Sequence, residues 1–473
     1  MAKPQVRIRM YRKLLGDCFL ITIGNPKAQR DKRSHILIDC GVLQQVPGEV
    51  QLMKDVAADI RKTVGDYVDL MVITHEHWDH ISGFAHARND LIDTLNIRQL
   101  WLAWTEKRGD PQADILRGTS DTAKTVVATA AGAAGDGNPT GSLEDFNGPV
   151  KKGKLSSTEI IPALIDRATK TGAVEYLEPG TVTKTPGPIG LRANILAPPR
   201  DPDKLTKDLP TPGPSKETYI FKPREFAASV ANRYALAGAM ATAFENTGYG
   251  PFGRTYRRSI DEVQSGEDST ERWLRGRYFA SRDEWRKIDN DWLDAAGALA
   301  LKLDSDTNNT SLVLALELET GGDVLLFAAD AQVGNWLSWH DQQYPTPAQP
   351  GVTSVPARDL LRRTVFYKVG HHASHNATLK DLGLELMTHP ELCAMIPVVE
   401  AEARRVKNGK AVHRGWDMPY PDLYTKLLAK TKKRLLRGDA DAGKDPDGKI
   451  ICNDQKFLNR VSGNALFHEL RIQ

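Results

Sequence analysis

The stretch Leu70-Met71-Val72-Ile73-Thr74-His75-Glu76-His77-Trp78-Asp79-His80 decides the fold class of this chain. Its apolar first part is typical of a buried strand, and polar residues follow that strand at once. In an extended turn the side chains at positions i and i+2 point the same way, so His75 and His77 can bind one cation. Asp79 and His80 then begin the next helix and can face a second cation. Imidazole and carboxylate groups suit zinc, manganese or iron, and their clustering at a strand end favours a metal site over a solvated polar loop.

The histidines are distributed unevenly along the chain. Of the 12 histidines, one cluster lies between His75 and His86 and a second lies between His371 and His375, whereas none lies between His86 and His340. The second cluster follows an apolar run that predicts another strand. We therefore expect the fold to bring the two clusters together as the two halves of one metal centre.

Strand and helix patterns alternate in both halves of the sequence, which favours an α/β layered fold. A helical period covers Val50–Val64, and residues 111–177 are predicted to be mostly helical. A Gly-Gly turn predicts a β-hairpin near residue 321. The predicted strands are Val6–Tyr11, Phe19–Ile23, Ile36–Ile38, Leu70–Ile73, Arg98–Trp104, Leu191–Leu196, Leu312–Leu318, Val324–Ala328, Thr364–Val369 and Ala394–Val398.

The run His75-x-His77-x-Asp79-His80 resembles the signature of the metallo-β-lactamase-fold hydrolases. The segments Gly16–Ile21 and Ile36–Gly41 are similar to the opening strands of that fold. A finer similarity points to the subgroup typified by the hydrolase domain of the DNA-uptake competence protein ComEC. It is carried by three further segments, Asn309–Leu314, Lys368–Ser374 and Trp416–Pro421. The resemblance covers about residues 1–110, 185–200 and 305–455.

The resemblance implies a four-layer αββα metallo-β-lactamase sandwich with a largely helical insertion. We predict that residues 1–199 form the N-terminal half of the metallo-hydrolase domain and that residues 306–473 form its C-terminal half. Residues 200–305 are the predicted insertion. Because site-shaping segments often lie on excursions from a rigid scaffold, this insertion is expected to act as a lid or as a surface for a protein partner.

The resemblance also implies which residues bind metal. One cation is expected on His75 and His77, and a second on Asp79, His80 and one residue of the pair His371 and His372, with His372 preferred. Asp330, at the end of a predicted strand, resembles the bridging ligand of the family. The implied cofactor is one or two Zn²⁺ ions, with Mn²⁺ or Fe²⁺ as alternatives. The predicted metal ligands are thus His75, His77, Asp79, His80, Asp330 and His372, and the predicted catalytic residues are Asp79, His371 and His375.

The catalytic assignments differ in role. Asp79 is expected to orient the nucleophile as well as to bind metal, and His371 is expected to face the substrate or to support a ligand. His375 is expected to stabilise a leaving group, or else to lie on the surface. The family usually supplies a third histidine to the first cation. Because the chain has no histidine between His86 and His340, that ligand is either absent or replaced by a carboxylate such as Glu175, Glu178 or Asp201.

Charge gives only local indications of a partner. The net charge is +3, from 63 basic and 60 acidic residues, so no global electrostatic case for nucleic acid follows. Basic residues nevertheless cluster in four segments, Arg254–Arg258, Arg272–Tyr278, Arg404–Lys410 and Lys430–Arg437. Such segments can hold a nucleic-acid backbone or a nucleotide, the first two by interleaving cations with aromatic rings. Alternatively, they solvate helix faces.

Cysteine usage and hydropathy bear on the compartment. The chain has 4 cysteines, no two of which form a CxxC pair, and it contains no apolar stretch of about 18 residues. We therefore expect a cytoplasmic protein that does not contact a membrane.

Three functions remain open from the sequence. The first is a metal-dependent phosphodiesterase or nuclease that uses metal-activated water. The second is a metallo-hydrolase of a small ester, a lactone or a phosphocholine ester. The third, suggested by the missing histidine, is a binding or sensing module with a partly degraded metal site.

Overall fold

The computed structural model describes residues 5–134, 157–211, 217–219, 260–278, 302–303, 305–319, 321–349, 352–407, 412–413 and 415–472. The chain divides into two compact units. The first comprises Met1–Arg117, Leu143–Lys222 and Asp304–Gln473, and the second comprises Gly118–Ser142 and Pro223–Leu303. The second unit includes the helices Ile260–Ser265 and Ser269–Tyr278. Most of the predicted insertion lies outside the described residues, so its role stays a prediction.

The first sheet of the larger unit has eight strands, in the order β20-β21-β1-β2-β3-β5-β7-β8. Its first half is antiparallel, and the pairs from β3 to β8 are parallel. Its strands are β1 Val6–Tyr11, β2 Cys18–Ile23, β3 Ser34–Cys40, β5 Leu70–Val72, β7 Gln99–Ala103, β8 Ala173–Leu177, β20 Val461–Gly463 and β21 Phe467–Ile472.

The second sheet has seven strands, in the order β19-β16-β15-β12-β11-β10-β9. It repeats the plan of the first, because its pairs from β9 to β12 are antiparallel and those from β12 to β19 are parallel. Its strands are β9 Val182–Lys184, β10 Arg192–Ala197, β11 Val313–Glu317, β12 Val324–Phe327, β15 Thr364–Lys368, β16 Cys393–Ile396 and β19 Leu435–Arg437.

The two sheets face each other across one apolar core. Alternate residues of the strands point into it, as the period of two dictates, and the rings of Phe19 and Phe327 meet edge to face at 5.9 Å between the sheets. The opposite faces pack against helices, for which Met53 in α1 (Glu49–Val64) and Trp336 in Val333–Trp339 are buried examples. The result is the predicted αββα layering, with the carboxyl ends of the parallel strands of both sheets available to build a site.

The remaining elements connect or cover these layers. Six short strands form three two-stranded sheets outside the main sheets. Among the described helices, none is long and apolar enough to cross a membrane. The short strands are β4 Tyr67–Val68, β6 Asn96–Ile97, β13 Gln343–Gln349, β14 Val352–Pro356, β17 Val406–Lys407 and β18 Val412–His413. The other helices are α2 Trp78–His86, Pro111–Ala134, Ser157–Thr171, Pro202–Leu205, Ala357–Arg362, Glu400–Ala403, Pro421–Lys430 and Gln455–Leu458.

The predicted helical character of residues 111–177 is wrong at its C-terminal end. The helix Ser157–Thr171 stops there, and β8 pairs in parallel with β7 at the edge of the first sheet. Gly172 makes this change possible, because a Cβ at that position would lie 2.1 Å from the carbonyl oxygen of Arg98. β8 has five residues, of which Leu177 alone is buried, so pairing with β7 rather than burial of one face decides its conformation.

Candidate metal centre

The chemistry-bearing residues lie where the parallel strands of both sheets end. From the first sheet, β5 ends at Val72 and leads through a loop to α2, whose first turn contains Asp79 and His80. From the second sheet, Asp330 follows β12, and the second histidine cluster follows β15. All six predicted metal ligands are buried. The two histidine clusters of the sequence are therefore brought together by the facing of two sheets.

His75 and His77 present their ring nitrogens to each other. Nε2 of His75 lies 3.1 Å from Nδ1 of His77, and the two ring centroids are 4.7 Å apart. Burial lowers the pKa of His77 to about 4 and holds the pKa of His75 well below its usual value. Both imidazoles are therefore neutral at pH 7, which is the form that binds a metal ion.

Asp330 lies at the centre of the arrangement. With His75 and His80 it forms one group of ligand atoms, all within 4.8 Å of one another, and with Asp79 and His372 it forms a second. A third group, which lacks Asp330, consists of Asp17, Asp39 and His80, and His77 belongs to none of the three groups found among the described residues. Its Oδ2 faces Nε2 of His80 at 3.1 Å, yet neither atom has the geometry of a hydrogen bond to any group. A cation bound by both atoms would explain why these two buried polar atoms face each other without a hydrogen bond.

The two residues of the pair His371 and His372 have different surroundings. Nδ1 of His372 lies 2.7 Å from the carbonyl oxygen of Pro397, which leaves Nε2 to meet Oδ2 of Asp79 at 3.0 Å. The ring of His371 instead contacts the hydroxyl of Ser374 through Nδ1 at 2.9 Å. Only His372 of this pair thus belongs to a ligand group among the described residues.

His375, the third predicted catalytic residue, lies beside Tyr420. It is half-buried, and its ring centroid is 6.2 Å from that of Tyr420. It belongs to none of the ligand groups found in the described part of the chain. Its assignment to a leaving group stays a prediction.

The backbone at the site is strained. The consecutive residues His371, His372 and Ala373 have φ values of 42°, 51° and 63°, and Asp39 and Ala329 have values of 52° and 47°. Such left-handed conformations are costly for residues other than glycine, at about 1–3 kcal/mol each, and they persist where the surrounding structure imposes them. Their clustering at the strand ends indicates that this region is shaped for function rather than for stability.

Sequence reasoning missed the carboxylate that supports the ligands from the first sheet. Asp39, at the end of β3, has Oδ2 2.8 Å from Nδ1 of His80, and the same oxygen accepts a hydrogen bond from the Thr74 hydroxyl at 2.7 Å. Its Oδ1 accepts the backbone N–H of Thr74 at 2.8 Å. This carboxylate fixes the tautomer of His80 so that Nε2 is free to bind a cation. The position of Asp39, a charged residue after the apolar run Ile36–Ile38 of β3, could have indicated this role from the sequence.

The site holds more buried acidic side chains than buried lysines. Asp17, Asp39, Asp79 and Asp330 are all buried, and Lys368 forms ion pairs with two of them, Asp17 and Asp330. Burial opposes protonation of the nearby imidazoles, but Asp330 and its neighbours still raise the pKa of His80 well above its usual value. Because buried charges require compensation, the donor set fits one or two divalent cations.

The residues proposed to replace the third histidine have other partners. Glu178 binds the guanidinium of Arg200, and Asp201 caps the helix Pro202–Leu205 by accepting the N–H of Asp203 at 3.0 Å. Glu175 lies in β8, opposite Trp101. None of the three belongs to a ligand group within the described ranges. The structure instead places the hydroxyl of Ser311 3.4 Å from Nδ1 of His75.

The basic segments of the C-terminal half are largely paired with acids. Arg404 binds Glu400 at 3.0 Å, and Arg405 binds Glu402 at 2.9 Å. Arg434 and Arg437 are buried and ion-paired as well, whereas Lys432 and Lys433 are exposed. Arg254–Arg258 lies outside the described residues. The role of these segments in binding a partner stays a prediction.

Replacing Asp39 by Asn is expected to weaken cation binding by about 10- to 100-fold, because supporting carboxylates orient metal-ligating histidines. Competition with a chelator measures this affinity. The matched control is Asp59→Asn. Asp59 lies in α1 and pairs with Arg9 and Tyr11 of β1 rather than with a predicted ligand. An unchanged affinity in Asp39→Asn would show that His80 does not depend on this support.

Comparison with known proteins agrees with the geometry. Residues 13–151 match the model of the family described as the metallo-beta-lactamase superfamily. This range contains the complete His75–His80 run together with Asp17 and Asp39. No curated protein and no solved structure was found to match the chain. The match covers less than a third of the chain. Together with the layered fold it supports a metallo-β-lactamase superfamily domain in this chain, and such a domain implies metal-dependent hydrolase activity.

Proposed function

We propose that this chain is a metal-dependent phosphodiesterase whose substrate is a nucleic acid or a nucleotide. The observation that carries the proposal is that Asp330 belongs to two of the three groups of ligand atoms found among the described residues, the one with His75 and His80 and the one with Asp79 and His372. A carboxylate shared between two cation positions is typical of two-metal sites, which serve phosphoryl-transfer enzymes by holding both the attacking and the leaving oxygen. Zinc is the proposed ion, with manganese or iron as alternatives, since the donors are imidazole and carboxylate groups.

The proposed chemistry divides between the cofactor and the protein. A divalent cation lowers the pKa of bound water towards neutrality and polarises a phosphoryl oxygen. Asp79 is placed to orient a water molecule, because its Oδ1 is buried without a hydrogen-bond partner while its Oδ2 meets His372. His371 is the proposed substrate-facing group. With its Nδ1 on Ser374, its Nε2 is the nitrogen left for the substrate.

A second candidate function is hydrolysis of a small ester, lactone or phosphocholine ester. It is favoured by the burial of the six predicted ligands, none of which is more than 2% exposed. It is also favoured by the ion pairs of Arg404 with Glu400 and of Arg405 with Glu402, which leave these two cations less available to a phosphate backbone. Deeply buried ligands suit a small substrate better than a polynucleotide strand. A sensing module with a degraded site is the third candidate, and metal binding distinguishes it.

The test is to purify the protein, load it with zinc or manganese, and measure cleavage of DNA, RNA, cyclic dinucleotides and a panel of small esters. We expect metal-dependent phosphodiester cleavage that falls at least about 100-fold in His77→Ala, because this substitution removes a predicted cation ligand. The matched control is His389→Gln, since His389 is a partly exposed histidine near Asp323 rather than at the centre.

The outcomes separate the three candidates. Cleavage confined to the ester panel would replace the phosphodiesterase by the small-ester hydrolase. Less than one equivalent of metal at saturating zinc would favour the sensing module. The salt dependence of the activity also distinguishes the two kinds of substrate. Cleavage of a polynucleotide should fall steeply as the salt concentration rises, whereas hydrolysis of a small ester should not.

A further inference from the structure

The Lys368 ammonium group lies inside the candidate metal centre. Lys368 is the last residue of β15 and is 1% exposed. Its Nζ donates to the carbonyl oxygen of Ala329 at 2.8 Å, forms an ion pair with Asp17, and lies 3.4 Å from Oδ1 of Asp330. The ammonium group therefore joins a residue of the first sheet to the strand end that carries the shared ligand.

Burying this lysine is not explained by stability. The effective cost of removing an ammonium group from water is several kcal/mol, and replacing buried ion pairs with apolar residues is often neutral or stabilising. The three residues before it in β15, Val365, Phe366 and Tyr367, are apolar or aromatic and pack in the core. The charge of Lys368 in such a strand therefore indicates a role at the candidate metal centre, where the strand ends.

The two oxygens of Asp330 are in unlike surroundings. Oδ1 accepts the backbone N–H of His371 at 3.0 Å and lies beside the Lys368 ammonium group. Oδ2 has no hydrogen bond and faces Nε2 of His80. The carboxylate is thus held by one oxygen, and the other is presented to the ligand groups.

We propose that Lys368 is a positioning residue that holds Asp330 by Oδ1, so that Oδ2 alone is offered to the cations. This inference rests on the proposed metal-dependent function. A carboxylate free to rotate can bind one cation with both oxygens and so withdraw from the other. Fixing it by one oxygen keeps the second oxygen between the two groups of ligands, which favours binding of the more weakly held cation.

The competing explanation is that Lys368 only neutralises Asp17. A pair of variants separates the two roles. Lys368→Met removes the ammonium group and nearly keeps the length of the side chain, whereas the double variant Asp17→Asn with Lys368→Met also removes the carboxylate that would be left unpaired. Asp17→Asn alone is the reference for the double variant, because Asp17 forms a ligand group with Asp39 and His80 and its loss can itself affect cation binding. The control is Lys430→Met, since Lys430 is a partly buried lysine that bonds to the carbonyl oxygen of Glu385.

The readouts are cation stoichiometry by elemental analysis, affinity by chelator competition, and the visible absorption spectrum of the Co²⁺-loaded protein, which reports the ligand geometry. In Lys368→Met and in the double variant alike, we expect the affinity for the more weakly held cation to fall by about 10- to 100-fold, as for other residues that orient metal ligands. The Co²⁺ spectrum should change in both variants and stay that of the wild type in Lys430→Met.

Recovery of wild-type affinity and spectrum in the double variant would overturn the proposal, because Lys368 would then act only on Asp17. If Lys368→Met does not fold, the double variant decides alone by the same criterion. A wild-type protein that binds no cation would overturn the proposed function and this inference together. Tight cation binding by the wild type and by both variants would overturn only the inference.

Discussion

Replacing Asp330 by Asn is expected to give the largest loss of function in this chain. The substitution preserves the shape of the side chain but removes the negative charge that two of the groups of ligand atoms share. Removing one partner of a buried charge interaction costs about 3–5 kcal/mol, which corresponds to roughly a 100- to 5,000-fold loss of cation affinity. Because both cation positions include this residue, hydrolysis should fall at least as far as metal binding.

Elemental analysis, chelator competition and turnover of the substrate found for the wild type measure this effect. The matched control is Asp323→Asn, because Asp323 precedes β12 and Asp330 follows it. In the wild type, added zinc should raise the temperature of unfolding, since a ligand that binds only the folded state stabilises it. A comparable rise in Asp330→Asn would contradict the assignment of this residue as a shared ligand.

Replacing Gly41 by Ala is expected to damage the site without touching a ligand side chain. A Cβ at this position would lie 2.2 Å from both the carbonyl carbon and the carbonyl oxygen of Asp79, and 2.4 Å from the backbone nitrogen of His80. These atoms form the first turn of α2, so they must move to admit the methyl group. Overpacking of this kind costs about 1–3 kcal/mol, and a displacement of about 1 Å at a reacting group can cost about 100-fold in rate.

Thermal unfolding and metal content together test this expectation. The control is Gly118→Ala, because no heavy atom lies within 4 Å of a Cβ built there and alanine favours helix over glycine by up to about 1 kcal/mol. Gly41→Ala should lose both stability and bound cation, whereas Gly118→Ala should lose neither. Full metal content and an unchanged unfolding temperature in Gly41→Ala would contradict the prediction. They would show that the segment at Gly41 and the first turn of α2 can move apart without cost.

Local patterns predicted much of the fold. The apolar runs predicted β1, β12 and β15 within about one residue, and the period of Val50–Val64 predicted α1. These elements have strong patterns because each presents one face to a core. The edge strand β8 was missed, because its conformation depends on pairing with β7 rather than on its own residues.

The candidate site divides in the same way. The spacing within the His75–His80 run predicted the ligand-type residues. Side chains this close in sequence stay close in space wherever an extended turn is followed by a helix. For the pair His371 and His372, His372 was the preferred ligand, but the sequence offered no local reason for this preference, because the two residues are adjacent and have identical side chains. The carbonyl of Pro397 and the carboxylate of Asp79 distinguish the two rings, and both belong to other elements.

The sequence by itself determined that this chain has an α/β layered fold and two clusters of metal-ligand residues, because strand periodicity and short ligand spacings are local properties. Only the tertiary structure decided that the clusters meet, that Asp330 is common to two of the ligand groups, and that Asp39 and Lys368 support them. Those relations join residues from two facing sheets. They depend on which strand ends the packing of the sheets brings together, and no local pattern encodes that.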